Sequence, residues 1–180
     1  MTSDPALSSL LAVLGGAIST VGAIYVGWRN RTLNHRLARF QEQLADVVLK
    51  RQLCLALGSR ALMVGERAAE VRRSLDVLAR ARTKVRIAEM EKRTERLDRA
   101  CDALLESWTE VANWGLASDA LRESVDRLND TLETLRLGML LTPGDNHRHA
   151  AALSATEDLA TNCQRACRDS ADKLVSPSLA

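Results

Sequence analysis

The chain has 180 residues, 46% of them hydrophobic and 27% charged, with only five aromatic residues. Strands draw on β-branched and aromatic residues in alternation, so this composition excludes an all-β or doubly wound α/β fold. No proline falls between Pro5 and Pro143, as long helices require. A net charge of +2 conceals opposite halves: residues 50–99 hold fourteen basic and seven acidic groups, residues 100–180 seven and thirteen. Such polarity suits pairing of the chain's own segments, or a phosphate-bearing partner for the basic part.

From Pro5 to Trp28 there is no charged residue, no side-chain amide and no histidine. A run of that length exceeds the roughly 20 residues that cross a bilayer as a helix. Asp4 stands where a signal peptide would carry a positive charge, so the run reads as a retained transmembrane helix over residues 6–28 rather than a cleaved leader. Tyr25 and Trp28 occupy the headgroup end, and Arg29, Arg31, Arg36 and Arg39 follow. A positive flank marks the cytoplasmic side, which sets the amino terminus outside an inner membrane and the bulk of the chain in the cytoplasm. Within the run Gly15, Ser19, Ala23 and Gly27 recur every four positions, beside a second row of Ala12, Gly16 and Thr20. Small residues let backbones approach closely in lipid, so this face predicts self-association of the span and a homo-oligomer.

Beyond Trp28 the pattern becomes a 3,4 repeat: Leu33, Leu37, Phe40, Leu44, Val47. This is an amphipathic helix, continuous with the span, for which Gly58-Ser59 offers the first stop. A second repeat follows at Val64, Ala68, Val71, Leu75 and Leu78, and a third at Ile87, Met90, Leu97, Cys101, Leu104, Trp108 and Val111. The two do not share a register, which predicts a bend near residues 82–86. Trp114-Gly115 ends the third helix, Ser118 caps the next, and the seam of that helix is Leu121, Val125, Leu128, Leu132, Leu135 and Met139. Residues 142–149 read as a loop around Pro143-Gly144. The segment 150–180 has a thin seam, with a capping box at Ser154 and Glu157, and is expected to pack weakly. The fold class is therefore all-α: a single amino-terminal transmembrane helix, then a cytoplasmic antiparallel bundle or coiled-coil hairpin of four to five helices, with the bundle in 29–141.

Chemistry is sparse. Cys54, Cys101, Cys163 and Cys167 lack Cys-x-x-Cys spacing and are expected as reduced thiols, the last two as a packing stripe rather than half a metal site. Asp145, His147 and His149 share the loop but supply neither a closed ligand set nor an oriented nucleophile. No phosphate loop, nucleophile elbow or zinc-protease motif is present, so neither an enzyme nor a cofactor is expected. Arg80, Arg82, Lys84 and Arg86 form a basic run that a helix would spread around its cylinder, with no interleaved aromatic to stack a base, which argues against nucleic acid. If the chain reversed at Gly58-Ser59, the run would return to the headgroups, making these four residues a candidate contact for anionic membrane lipid. Opposed charges also predict that Lys92, Arg93, Arg96 and Arg99 meet Asp130 and Glu133 across a hairpin. The function expected from these features is that of a membrane-anchored scaffold, adaptor or regulator that binds a partner protein or its own copies. A membrane-permeabilising toxin or holin-like protein and a membrane signal relay are the rival readings.

Overall fold

The computed structural model describes the backbone of residues 5–80, 84–141 and 145–175, and the side chains of 25–80, 84–139 and 145–174. Four helices account for it: α1 (Pro5–Arg80), α2 (Lys84–Asn113), α3 (Asp119–Leu141) and α4 (Asn146–Val175), with no strand among the described residues. The chain divides into two units, Met1–Asp46 and Val47–Ala180.

The second unit is a four-helix bundle made of the carboxyl part of α1 with α2, α3 and α4. Interhelical contacts fix its topology. Arg93 of α2 donates to Ser74 of α1 at 2.8 Å, Arg136 of α3 pairs with Asp98 of α2 at 3.2 Å, and Arg72 of α1 meets Glu157 of α4 at 2.7 Å. Ser118, just before α3, lies 3.4 Å from Ser170 near the end of α4. Each neighbouring pair is antiparallel, and α1 and α4 close the ring. Heptad spacing builds the core: Leu57, Val64 and Val71 from α1, Leu97, Leu104 and Val111 from α2, Leu121, Val125, Leu128 and Leu135 from α3, and Leu153, Ala160 and Cys163 from α4. Repeats of three and four keep one stripe of each helix facing the bundle axis, the condition for interlocked side-chain packing.

Local sequence sets the ends. Gly115 takes a φ of +66°, the left-handed conformation that glycine adopts without a Cβ penalty. The N–H groups of Leu116 and Gly115 then donate to the carbonyls of Val111 and Ala112, closing α2 in a Schellman motif. The Ser118 hydroxyl accepts the Leu121 N–H at 3.3 Å and caps α3 as its sequence predicts.

Three expectations change. Gly58-Ser59 does not stop the helix: α1 runs through to Arg80, because Gly58 and Gly65 sit where α4 comes too close for a side chain. An added Cβ on Gly65 would lie 2.9 Å from the Ala160 Cβ, and one on Gly58 would lie 3.1 Å from the Cys167 Cβ. The bundle therefore has four helices, and its first is continuous with the segment before it. Second, α4 begins at Asn146, inside the expected loop, capped by Asp145, whose carboxylate accepts the Arg148 N–H at 3.1 Å. Third, α4 is well packed, since Leu153, Thr156, Ala160, Cys163, Cys167 and Ala171 have no exposed surface. The small side chains that made its seam look thin are what let it approach α1.

In the first unit the described residues are helical throughout, and Tyr25, Trp28, Leu33, Leu37, Phe40 and Leu44 are exposed. Among the described residues no helix is long and apolar enough to cross a membrane. The expected span at 6–28 and its row of Gly15, Ser19 and Ala23 fall mainly on residues whose side chains lie outside the described ones. Gly27 is described, and its surroundings are open, with nothing within 4 Å of an added Cβ.

Candidate functional site

Four features of the described residues have the makings of a site. The first is the seam between α1 and α4. On α1 it comprises Arg51, Cys54, Gly58, Ala61, Gly65, Ala68 and Arg72, spaced alternately by three and four. Charged pairs bracket it: Arg51 with Asp172 at 3.7 Å, and Arg72 with both carboxylate oxygens of Glu157 at 2.7 and 3.1 Å. Glu157 thus serves the α1 contact, not a capping box with Ser154.

Within that seam three of the four cysteines converge. Burial raises the Cys54 thiol above its ordinary range. The Cys167 thiol is raised further by its hydrogen bond with Cys163, then by burial and by the neighbouring Cys54. That same hydrogen bond, outweighing burial, lowers the Cys163 thiol; all three cysteines lack exposed surface, and a buried cysteine out of reach of solvent is inert. All four cysteines are free thiols. Among the described residues no group of His, Cys, Asp or Glu is arranged to hold a metal ion. His147 is exposed, whereas His149 is buried beside Gly138, so the two loop histidines do not form a pair.

The second feature is a groove of about 240 Å³ between α2 and α3, lined by Leu97, Cys101, Leu105, Leu132 and Met139, with Asp98 and Arg136 across its rim. Burial, then the carboxylate of Asp98, push the Cys101 thiol up to about 12. Asp98 and Arg136 engage each other there, and Thr94, Asn129 and Glu133 also line the groove.

The third feature is the basic run. Arg80 ends α1 and Lys84 begins α2, both exposed; Arg86 is half-buried, and Arg82 lies outside the described residues. α1 continues through Gly58-Ser59 to Arg80, so the chain does not reverse at the point from which the lipid contact was argued. The hairpin charge scheme is also corrected. Arg93 binds Glu89 and Ser74, Arg99 pairs with Glu95 along α2, and Arg127 with Glu123 along α3. Arg93 and Arg96 line a groove with Glu70 and Arg73 of α1, so the basic face of α2 turns toward α1 and not toward Asp130 and Glu133. The α2–α3 pair, Asp98 with Arg136, has the opposite polarity. Heptad geometry explains this: the Leu97–Cys101 stripe faces α3, and Arg93 and Arg96 flank it on the α1 side.

The fourth feature is the apolar stripe of α1 before the bundle. Leu33, Leu37, Phe40 and Leu44 repeat at four, three and four, and each is about half exposed. Aliphatic and aromatic residues at that spacing form a surface that water disfavours and another helix would cover. Its spacing is present in the sequence. Comparison with families, with curated proteins and with solved structures gives no match for this chain.

Proposed function

We propose that the protein is a single-pass membrane-anchored helical adaptor, scaffold or regulator that works by binding proteins, its own copies included, and not by catalysis. The observation that carries this reading is one stretch of chain: an uncharged run of 24 residues, followed by four arginines interleaved with a half-exposed apolar stripe at heptad spacing. The run has the length of a membrane span, and the arginines favour a cytoplasmic carboxyl side. Exposed Tyr25 and Trp28 suit the headgroup layer. The stripe supplies the binding face, and the bundle after it a folded body with a continuous apolar core.

The test is fractionation with topology mapping of the full chain. The native thiols are buried or half-buried, so the reporter is Ser59→Cys, at an exposed position. The protein is expected in the membrane fraction after alkaline extraction. An impermeant maleimide should miss Ser59→Cys in intact cells and label it after permeabilisation. Soluble full-length protein would overturn the anchor, and labelling in intact cells the orientation.

A further inference from the structure

The register by which α1 faces α4 does not end at Arg51. Continued toward the amino terminus in the same alternation of three and four, it passes through Val47, Leu44, Phe40, Leu37, Leu33, Asn30 and Val26. Helix α4 covers this register on residues 51–72 and itself ends at Val175. From Leu44 back to Leu33 the stripe residues are 48–57% exposed. The sequence therefore continues a packing seam past the partner that fills it.

We propose that this face pairs with the same face of a second copy, as a parallel, in-register two-stranded coiled coil over residues 26–47. The proposal rests on the reading of the chain as a membrane-anchored, self-associating protein, because a shared membrane sets two copies side by side and parallel. Several residues fit that occupant. Leu37 and Leu44 take the first core position of the heptad, and Leu33, Phe40 and Val47 the second. Asn30 falls in the first core position too. A lone asparagine there satisfies its amide against its own counterpart, and so fixes register and favours two strands.

The flanks agree. In a parallel pair each residue before a first core position meets the residue five further on in the other strand. Here those pairs are Arg29 with Asn34, Arg36 with Gln41 and Gln43 with Val48. No like charges oppose one another, and Arg31, Arg39 and Glu42 fall on the outer positions. Counting further, the register reaches Ala23 and Ser19, two of the four small residues in the expected self-association row of the span. Three heptads make a short coiled coil, and anchorage in one bilayer compensates by raising the effective concentration of the second strand.

The experiment is disulfide cross-linking of the full-length chain in its native membranes, in a Cys101→Ser background, with cysteine placed singly at Leu33, Leu37 and Phe40 and, on the outer positions, at His35, Ala38 and Glu42. A mild oxidant should give covalent dimer at the first three positions and lose it at the last three. Phe40→Glu should abolish the dimer of the Leu33→Cys variant while Cys54, Cys163 and Cys167 stay protected from thiol reagent, showing an intact bundle. Asn30→Val should add species larger than a dimer when a bifunctional amine reagent replaces the oxidant. Equal cross-linking at all six positions, none at any, or adducts only with another protein would overturn the proposal. Fractionation of the same samples separates the two readings: seam-specific dimers in soluble protein would sink the anchor and leave the coiled coil standing, and membrane-embedded protein without them would do the reverse.

Discussion

Gly65→Ala sets two effects of known size against each other. In an open helix interior the change stabilises by about 1 kcal/mol, because glycine has the greater backbone freedom to lose. At this site the new methyl would stand 2.9 Å from the Ala160 Cβ, and Ala160, being only a Cβ on its backbone, has no rotamer by which to yield. Overpacking of this kind costs about 1–3 kcal/mol, so the net effect should be a destabilisation of up to about 2 kcal/mol. Ala160→Gly alone should cost about 2 kcal/mol, from roughly equal losses of helix propensity and of a buried methyl. The double variant moves the methyl from α4 to α1. Its propensity terms cancel and its clash is gone, so it should return close to the parent, with a coupling of about 2–4 kcal/mol between the sites. The assay is urea unfolding of the full chain, followed by the reactivity of Cys54, Cys163 and Cys167, whose thiols report the opening of this seam. If Gly65→Ala raises the midpoint and Ala160→Gly adds no rescue, the helices do not approach as described.

Two further changes examine the other seams. Leu128 is fully buried at the centre of α3, so Leu128→Ala should destabilise by roughly 2–5 kcal/mol in the same assay; a loss below about 1 kcal/mol would mean that this stripe is not core. Cys101 stays neutral in the fold up to about pH 12 against an ordinary value of 9.0. Its contribution is complete below pH 9 and is lost as pH rises toward 12, by about 1.4 kcal/mol per unit. Urea midpoints at pH 8.5, 9.5 and 10.5 should accordingly fall more steeply for the parent than for Cys101→Ala, and parallel slopes would refute the burial of that thiol.

Where large apolar residues carried the pattern, the sequence was legible. The spacing of Leu121, Val125, Leu128, Leu132 and Leu135 marks the α3 seam, and these residues are buried, as are Val64, Val71, Leu75 and Leu78 of α1. Size was also what misled. Gly58 marks helix ends on average because glycine resists helix, yet here a facing helix needs the room its missing side chain leaves. Cys54, Gly58, Ala61, Gly65 and Ala68 bury little area each, so a reading weighted by bulk passes over a close approach of α1 and α4. Charge misled differently. Opposite net charge in two segments says nothing of which side of each helix bears it, and Arg93 and Arg96 lie to the α1 side of the stripe that meets α3. The exposed stripe of residues 33–44 was plain in the sequence, whereas its register with the α4-facing seam became visible only once α4 was placed.

Arg72 and Glu157, which tie α1 to α4, lie 85 residues apart in the chain. At the roughly 5–20 residues per second of protein synthesis, about 4–17 seconds separate the appearance of one from that of the other. Through that interval the small-residue face of α1 has no α4 to lie against, and its glycines, favourable only when covered, weaken the very helix that must wait. The segment from Gly58 to Ala68 thus stays uncovered for the whole of that interval, and a pause in synthesis within α3 lengthens it. The quality of the finished bundle depends on the timing of its last helix as well as on its packing.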